Sequence, residues 1–292
     1  MKKFLSFLLA FALVFTLVAC GGGDKPSEPA GSSGEVSQNA DASQESKEAK
    51  AESDAAVIKN KGKLVVGVTL FEPLDFLVDG DWTGFDAELA KLFAQELGVK
   101  AEFQEIEWAS KEIELKSGNV DCLWNGLTYS EERAKQMAMS DPYMKNCQTL
   151  VTKLTDNTAY TKIEDLKGRS IAAESGSAGE EYIQNKLKDI GVKYVEKTSQ
   201  LDALTELVAG TSDTAIIDSV MAKYLINKKG SDFGSLASND DVLKSDDEVY
   251  SVAFRKDSDL VDQLNAFLAK IKKDGTLEKL AEKYSLQEAI IK

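Results

Sequence analysis

In the stretch "DCLWNGLTYSEER", Asp121 to Arg133, a strand passes through a glycine turn into a helix whose first turn carries an arginine. Ser130 is a good N-cap, and Glu131 and Glu132 suit the positive end of the helix dipole. A capping box, however, would place Glu or Gln where Arg133 stands. Backbone N–H groups and a guanidinium fork together can hold both oxygens of a carboxylate in charge-assisted bonds. Asp218, at the end of the apolar run "TAIID", can hold an ammonium or cap the helix that follows. Phe71 and Trp108 can close over an aliphatic or planar side chain. Carboxylate plus ammonium describes an amino acid. "ESGSAGEE", with Ser177 and Ala178, is a second nest of backbone donors before a helix, but it lacks the lysine of a P-loop, so phosphate is the weaker candidate. Taken alone, Arg133 also fits a surface residue paired with a nearby carboxylate.

These residues sit where an α/β fold would bring them together. From Val57 short apolar runs alternate with amphipathic helices, the pattern of βαβ crossovers. "KLVVGV", "KAEFQEIEW", "VDCLWNG", "RSIAAE", "TAIID" and "EVYSVAFRK" read as strands. "GFDAELAKLFAQELG" reads as a helix with Phe85, Leu89, Leu92, Phe93 and Leu97 on one face and Gly98 as its stop. In open α/β sheets ligands collect beyond the carboxyl ends of the strands. Phe71 and Glu72, Trp108, Asn125 to Thr128, Ser175 to Gly179, and Asp218 all fall at such ends. Trp124, inside an apolar strand, reads as core. Met137 and Met139 read as packing or surface, and Lys228, Lys229 and "NDDVLKSDDE" as solvated loop.

Composition narrows the chemistry. The 292-residue chain has no histidine, three cysteines and a formal net charge of −14. Without histidine or a Cys-x-x-Cys pair, a zinc site or a His-dependent nucleophilic triad is disfavoured. We expect no catalytic residue, no metal and no cofactor. The charge argues against nucleic acid and against an electrostatic grip on anionic lipid. Cys122 and Cys147 read as buried thiols, although an exported chain also permits a disulfide between them.

The first segment, residues 1–19, has a basic start at Lys2 and Lys3, an apolar stretch and small residues before Cys20, as a secretory signal does. "LVAC" followed by "GGG" resembles the lipobox of bacterial lipoproteins, which implies acylation of Cys20 and a lipid anchor on the outer face of the cell membrane. Residues 20–56 are rich in Gly, Ser, Ala, Glu and Lys with no aromatic residue, and we expect a lipidated cysteine followed by a disordered tether.

From about Ile58 onward the chain resembles the amino-acid-binding proteins of ABC importers, solute-binding family 3. The resemblance rests on "EPLDFLVDGDWTGFDAELAKLFAQELG", "SGNVDCLWNGLTYSEERAKQMAMSDPYM", "IEDLKGRSIAAESGSAGE" and "DGTLEKLAEKY". It implies an α/β, two-lobed, type II periplasmic-binding-protein-like fold with a sheet flanked by helices in each lobe and a two-strand hinge. Residues 57–148 and 250–292 would form one lobe and residues 149–249 the other, with crossing strands near Cys147 to Leu150 and Val249 to Val252. It also implies roles. Arg133 would grip the ligand α-carboxylate with help from the backbone at Thr128 and Ala178. Gly126, the Thr128 hydroxyl and Asp218 would hold the α-amine, and Phe71 and Trp108 would flank the side chain. An ABC permease is the implied partner, and the protein is expected to be a monomer.

The sequence departs from the family pattern at Thr69, Asn125, Ser130 and Glu174, which shape the side-chain pocket. The candidate wall offers Glu72, Glu174 and Asn125 with no second cation besides Arg133, so a neutral polar or cationic amino acid is favoured over an acidic one. A micromolar ligand needs about −8 kcal/mol, and one hydrogen bond to a charged group contributes about 1.5 to 3. Donors from both lobes are therefore expected to close on the ligand. Two rivals remain: a lyase or dehydratase using Glu174 or Glu72 as acid or base, and a lipid-anchored receptor or adhesin.

Overall fold

Each short apolar run is bounded by a turn signal, and in the computed structural model each becomes a strand or buried helix face. Residues 53–245 and 248–292 are described; the signal segment, Cys20 and the tether as far as residue 52 lie outside them. The expected tether ends earlier than residue 56. Ser53 caps a helix, α1 (Asp54–Lys61), by accepting a hydrogen bond from the Ala56 N–H at 3.2 Å, and Ile58 is fully buried. Asp54 is ion-paired with Arg255 at 2.9 Å, which ties the start of α1 to a segment far along the chain.

The chain then forms β1 (Lys63–Val68), a hairpin of β2 (Phe76–Val78) and β3 (Asp81–Thr83), α2 (Phe85–Glu96), β4 (Lys100–Glu105), α3 (Lys111–Ser117) and β5 (Cys122–Leu123). Helix α4 (Glu131–Gln136), β6 (Ala138–Met139) and β7 (Met144–Asn146) follow. β1 lies between β4 and β5, parallel to both, so its Leu64, Val65, Val66 and Val68 are buried on both faces, as parallel strands are. α2 buries Phe85, Leu89 and Phe93, while Leu92 is only partly covered.

The second part comprises β8 (Gln148–Lys153), β9 (Ser170–Glu174), α5 (Ala178–Lys186), β10 (Lys193–Lys197), α6 (Gln200–Ala209) and β11 (Thr214–Asp218). It continues through α7 (Ser219–Asn227), β12 (Leu236–Asn239) and α8 (Asp240–Leu243). β13 (Glu248–Tyr250), β14 (Ala253–Phe254), α9 (Leu260–Lys273) and α10 (Thr276–Lys283) complete the order. Sequence reasoning reads "EVYSVAFRK" as one strand; the chain instead breaks at Ser251 and Val252 to change sheets.

Two five-stranded sheets result, ordered β4-β1-β5-β14-β6 and β10-β9-β11-β8-β12. Each has three parallel strands, a fourth antiparallel to them and a fifth antiparallel to the fourth. The fold is α/β with two sheet-containing lobes. Between them β7 and β13 pair antiparallel, Met144 opposite Tyr250 and Asn146 opposite Glu248, so the outgoing crossing lies before the expected Cys147 to Leu150. Leu150 sits within the second sheet, and Val252 is buried between β13 and β14. Cys122 is buried, Cys147 is partly exposed, and both are free thiols rather than a disulfide. Burial, the leading cause at each, pushes both thiols up from their ordinary value.

Candidate functional site: an enclosed pocket between the lobes

The carboxyl ends of β1, β4 and β5 in one lobe face those of β9 and β11 in the other across a small enclosed pocket. Its cavity volume is about 10 Å³, and it is lined by Phe71, Trp108, Asn125, Gly126, Thr128 and Arg133 on one side. Glu174, Ser177, Ala178 and Asp218 line the other. Thr69 and Gln200 complete the wall. A roomier groove of about 570 Å³ lies between α7 and the residues after α10. Its Lys223 and Lys228 are ion-paired with Asp240 and Glu72, and it gathers no comparable set of carboxylates and helix N-termini.

Local structure explains how Arg133 arrives there. Ser130 accepts a hydrogen bond from the Arg133 backbone N–H at 3.2 Å, which starts α4 as expected. The guanidinium is 6% exposed; Nη1 donates to the Thr128 carbonyl at 2.8 Å, and Nη2 is paired with Glu181 of α5 in the opposite lobe. Ser177 caps α5 by accepting from the Glu180 N–H at 3.2 Å, so the start of α5 points toward the pocket. Gly126 has φ +56, and a Cβ there would stand 2.7 Å from Cε1 of Phe71, so a glycine lets the aromatic wall close on the floor. Phe71 also meets Tyr250 edge to face at 6.4 Å between ring centroids.

Asp218 is 4% exposed and heavily hydrogen-bonded. It accepts from Asn146, from Gln148 Nε2 at 3.1 Å, from Gln200 Nε2 at 2.5 Å and from the Tyr250 hydroxyl at 2.9 Å. It does not cap α7 through its side chain, one of the two roles its sequence position suggests. Burial raises its pKa, and those four donors oppose the rise. Glu174, also 4% exposed, is pushed up to about 8, first by burial and then by the neighbouring charge of Asp218. Glu248 in β13 accepts from Gln148 Nε2 at 2.9 Å, Asn146 Nδ2 at 3.1 Å and the Thr128 hydroxyl at 3.3 Å. Burial and then Asp218 raise it to about 7. With Glu181, the site thus concentrates four carboxyl groups around one lining arginine.

Two features differ from the sequence expectation. Glu72 does not line the pocket: it pairs with Lys228 of α7 at 2.5 Å, a contact across the lobes, so Lys228 is not merely solvated. A second cation, Lys111, is buried close by. Its Nζ lies 5.0 Å from the centroid of the Trp108 ring and donates to the Gly176 carbonyl of the other lobe at 2.8 Å. Burial lowers its pKa, and its charge acts on Glu174 in the stabilising sense. Gly176 approaches Ala109 so closely that a Cβ would stand 3.0 Å from the Ala109 Cα. The lobes are therefore in a closed arrangement.

Sequence reasoning misses Gln200, Glu248, Glu181 and Lys111. Gln200 alone had a readable signal: it is in the first turn of a helix that follows β10, at the same sheet edge as Glu174 and Asp218.

Two lobes closing through a two-strand hinge on a buried pocket of paired charges define a clamp-type solute-binding protein. The chain matches the family model "Bacterial extracellular solute-binding proteins, family 3" over residues 64–287. It belongs to that family and is an exported, extracytoplasmic protein by that membership. It is similar to the arginine-binding extracellular protein ArtP of Bacillus subtilis, 29% identical over 292 residues, covering 97% of this chain and 98% of ArtP. Among solved structures, an amino acid ABC transporter substrate-binding protein, AbpA from Streptococcus pneumoniae bound to L-arginine, superposes with a TM-score of 0.72 at 30% identity. That match covers 78% of this chain and 96% of AbpA. The ancestral amino acid-binding protein AncCDT-1, a precursor of cyclohexadienyl dehydratase, also has a TM-score of 0.72, at 32% identity over 80% of this chain and 99% of its own.

Proposed function

We propose that this protein captures a free amino acid, a cationic one such as arginine in the first place, and delivers it to an ABC importer permease. The observation that carries the reading is the burial of Glu174 and Asp218 beside one another, opposite Arg133. Arg133 takes the α-carboxylate, helped by the backbone at Thr128 and at Ala178 of α5. Gly126, the Thr128 hydroxyl and Asp218 take the α-ammonium. Phe71 and Trp108 flank the side chain, and Glu174 meets its distal charge. An acidic ligand would bring a second carboxylate to a pocket already lined by two buried acidic groups, at a cost of several kcal/mol if unpaired. ArtP and AbpA, whose names or bound ligand specify arginine, point the same way.

Lipidation at Cys20 would hold the lobes at the outer face of the membrane through the following tether, with the protein acting as a monomer. The binding reading is preferred to the lyase reading because Asp218, beside Glu174, is held by three amides and the Tyr250 phenol, an arrangement that fixes a charge for a ligand. The test is thermal stabilisation of the full chain, freed of ligand by unfolding and refolding, across the common amino acids. A ligand at a thousandfold excess over Kd adds about 4 kcal/mol. We expect shifts with arginine or a close relative and none with aspartate or glutamate. A response to acidic amino acids alone would refute the assignment.

A further inference from the structure

Beneath the pocket floor lie two aspartates for which the binding reading has no use. Asp75, between β1 and β2, and Asp86, in the first turn of α2, are both fully buried. Their Oδ2 atoms are occupied on the pocket side. Asp75 Oδ2 accepts from Asn125 Nδ2 at 2.7 Å, and Asp86 Oδ2 accepts from the Gly126 N–H at 2.8 Å and the Tyr143 hydroxyl at 2.7 Å. Their Oδ1 atoms are buried with no hydrogen-bond partner at all. Two ionised carboxylates with orphaned oxygens are not a tolerable interior, because each such oxygen forgoes its hydration and the two charges repel.

The groups acting on the pair are each other, Asn125, Tyr143 and the Gly126 N–H, and none of these is a cation. Tyr143 is itself buried and pushed well up, so it stays a neutral donor. Burial, then the charge of Asp86, pushes Asp75 well up, and burial pushes Asp86 up to about 7. The pair titrates as a unit, in the manner of two carboxyls that hold one proton between them.

We infer that Asp75 and Asp86 share one retained proton between their Oδ1 atoms and, held so, position the Asn125–Gly126 floor of the pocket. The proton is one the pair keeps on folding, so the dyad carries a single negative charge and every oxygen has a partner. Asn125 is fixed at both ends: its Nδ2 also donates to the Thr69 carbonyl at 3.0 Å, and its Oδ1 accepts from the Thr69 hydroxyl at 2.7 Å and N–H at 3.1 Å. Asp86 in turn fixes the Gly126 N–H, while Phe71 is joined to Asp75 by backbone hydrogen bonds at 2.7 and 2.9 Å. The dyad therefore sits at the junction of the floor and the aromatic wall. These are positioning residues: neither lines the pocket. The role rests on the amino-acid-binding reading, but the shared proton does not.

The test uses infrared difference spectra and L-arginine titration calorimetry on the full chain. At pH 9, Glu174 and Glu248, raised to about 8 and 7, are mostly ionised. We expect the wild type to keep a protonated carboxyl C=O band there, and Asp75→Asn and Asp86→Asn each to abolish it. In Asp75→Asn the amide still accepts from Asn125 and donates toward Asp86 in the proton's place, so L-arginine should bind within about threefold of wild type. Asp75→Leu removes the acceptor and should weaken binding by about tenfold or more. No retained band in the wild type, or Asp75→Asn binding as poorly as Asp75→Leu, would overturn the inference. A retained band in a wild type that binds no amino acid would overturn the positioning role and the proposed ligand, not the shared proton.

Discussion

Gly176→Ala isolates lobe closure from ligand contact. Gly176 follows β9 in one lobe and has φ +74, and a Cβ added there would meet the Ala109 Cα of the other lobe at 3.0 Å and Lys111 Nζ at 3.2 Å. The left-handed backbone costs an alanine about 1 to 2 kcal/mol, and it does so whether the lobes are open or closed. The cross-lobe clash exists only in the closed form. Its partner at 3.0 Å is backbone, which cannot swing aside, so overpacking of about 1 to 2 kcal/mol falls on closure alone. That converts to a loss of about five- to thirtyfold in amino-acid affinity. Calorimetric titration would read the affinity, and small-angle scattering with and without ligand would read closure. Thermal unfolding of the unliganded protein should register only the backbone part. An affinity within about twofold of wild type would refute the reasoning, because the closed contact between Gly176 and Ala109 would then not be part of the bound state.

Three further outcomes follow from the same geometry. Glu72→Gln removes a pair whose two side chains are 27% and 44% exposed, so screening limits its worth to about 1 kcal/mol or less. Affinity should fall by no more than about fivefold by calorimetry, whereas a fall of a hundredfold would return Glu72 to the pocket wall. Glu174 must lose a proton to meet a cationic side chain, and its pKa is raised to about 8. Affinity for arginine should therefore rise with pH from about 6 to 8, and Glu174→Gln should lose both the rise and much of the affinity; a flat wild-type profile would contradict this. Asp86 is raised from an ordinary carboxylate value to about 7, so between those values the folded state binds more protons than the unfolded chain. Stability present at low pH should decline as pH rises from about 4 to 7, and chemical denaturation of Asp86→Asn should show a shallower decline.

The fold is legible because its signals are local. "KLVVGV" is apolar and bounded by glycine and a turn, and α2 and α4 announce themselves by periodicity and an N-cap serine. Much of the pocket is legible too, since Phe71, Trp108, Asn125, Gly126, Thr128, Arg133, Glu174, Ser177, Ala178 and Asp218 fall at strand ends, in the segments that follow them or in the first turn of the next helix, and all line it. The misses are long-range. Gln200 and Asp218 meet only because α6 starts at the edge where β9 and β11 end, and Glu248 reaches the site only through the crossing of β13 over β7. Glu72 misleads because it is adjacent in sequence to Phe71 while pointing to Lys228. Asp75 reads as an unremarkable acid in "EPLDF"; its burial depends on the packing of α2 and Tyr143 against the same turn.

The most direct measurement is calorimetric titration of the refolded full chain with L-arginine and with its decarboxylated analogue, in the wild type and in Arg133→Ala. The guanidinium should supply two charge-assisted contacts to the α-carboxylate, together worth about 3 kcal/mol or more. The account predicts micromolar or tighter binding of arginine, at least about a hundredfold weaker binding of the analogue, and a comparable loss in Arg133→Ala. Equal binding of arginine and its analogue, or binding that survives Arg133→Ala unchanged, would contradict it.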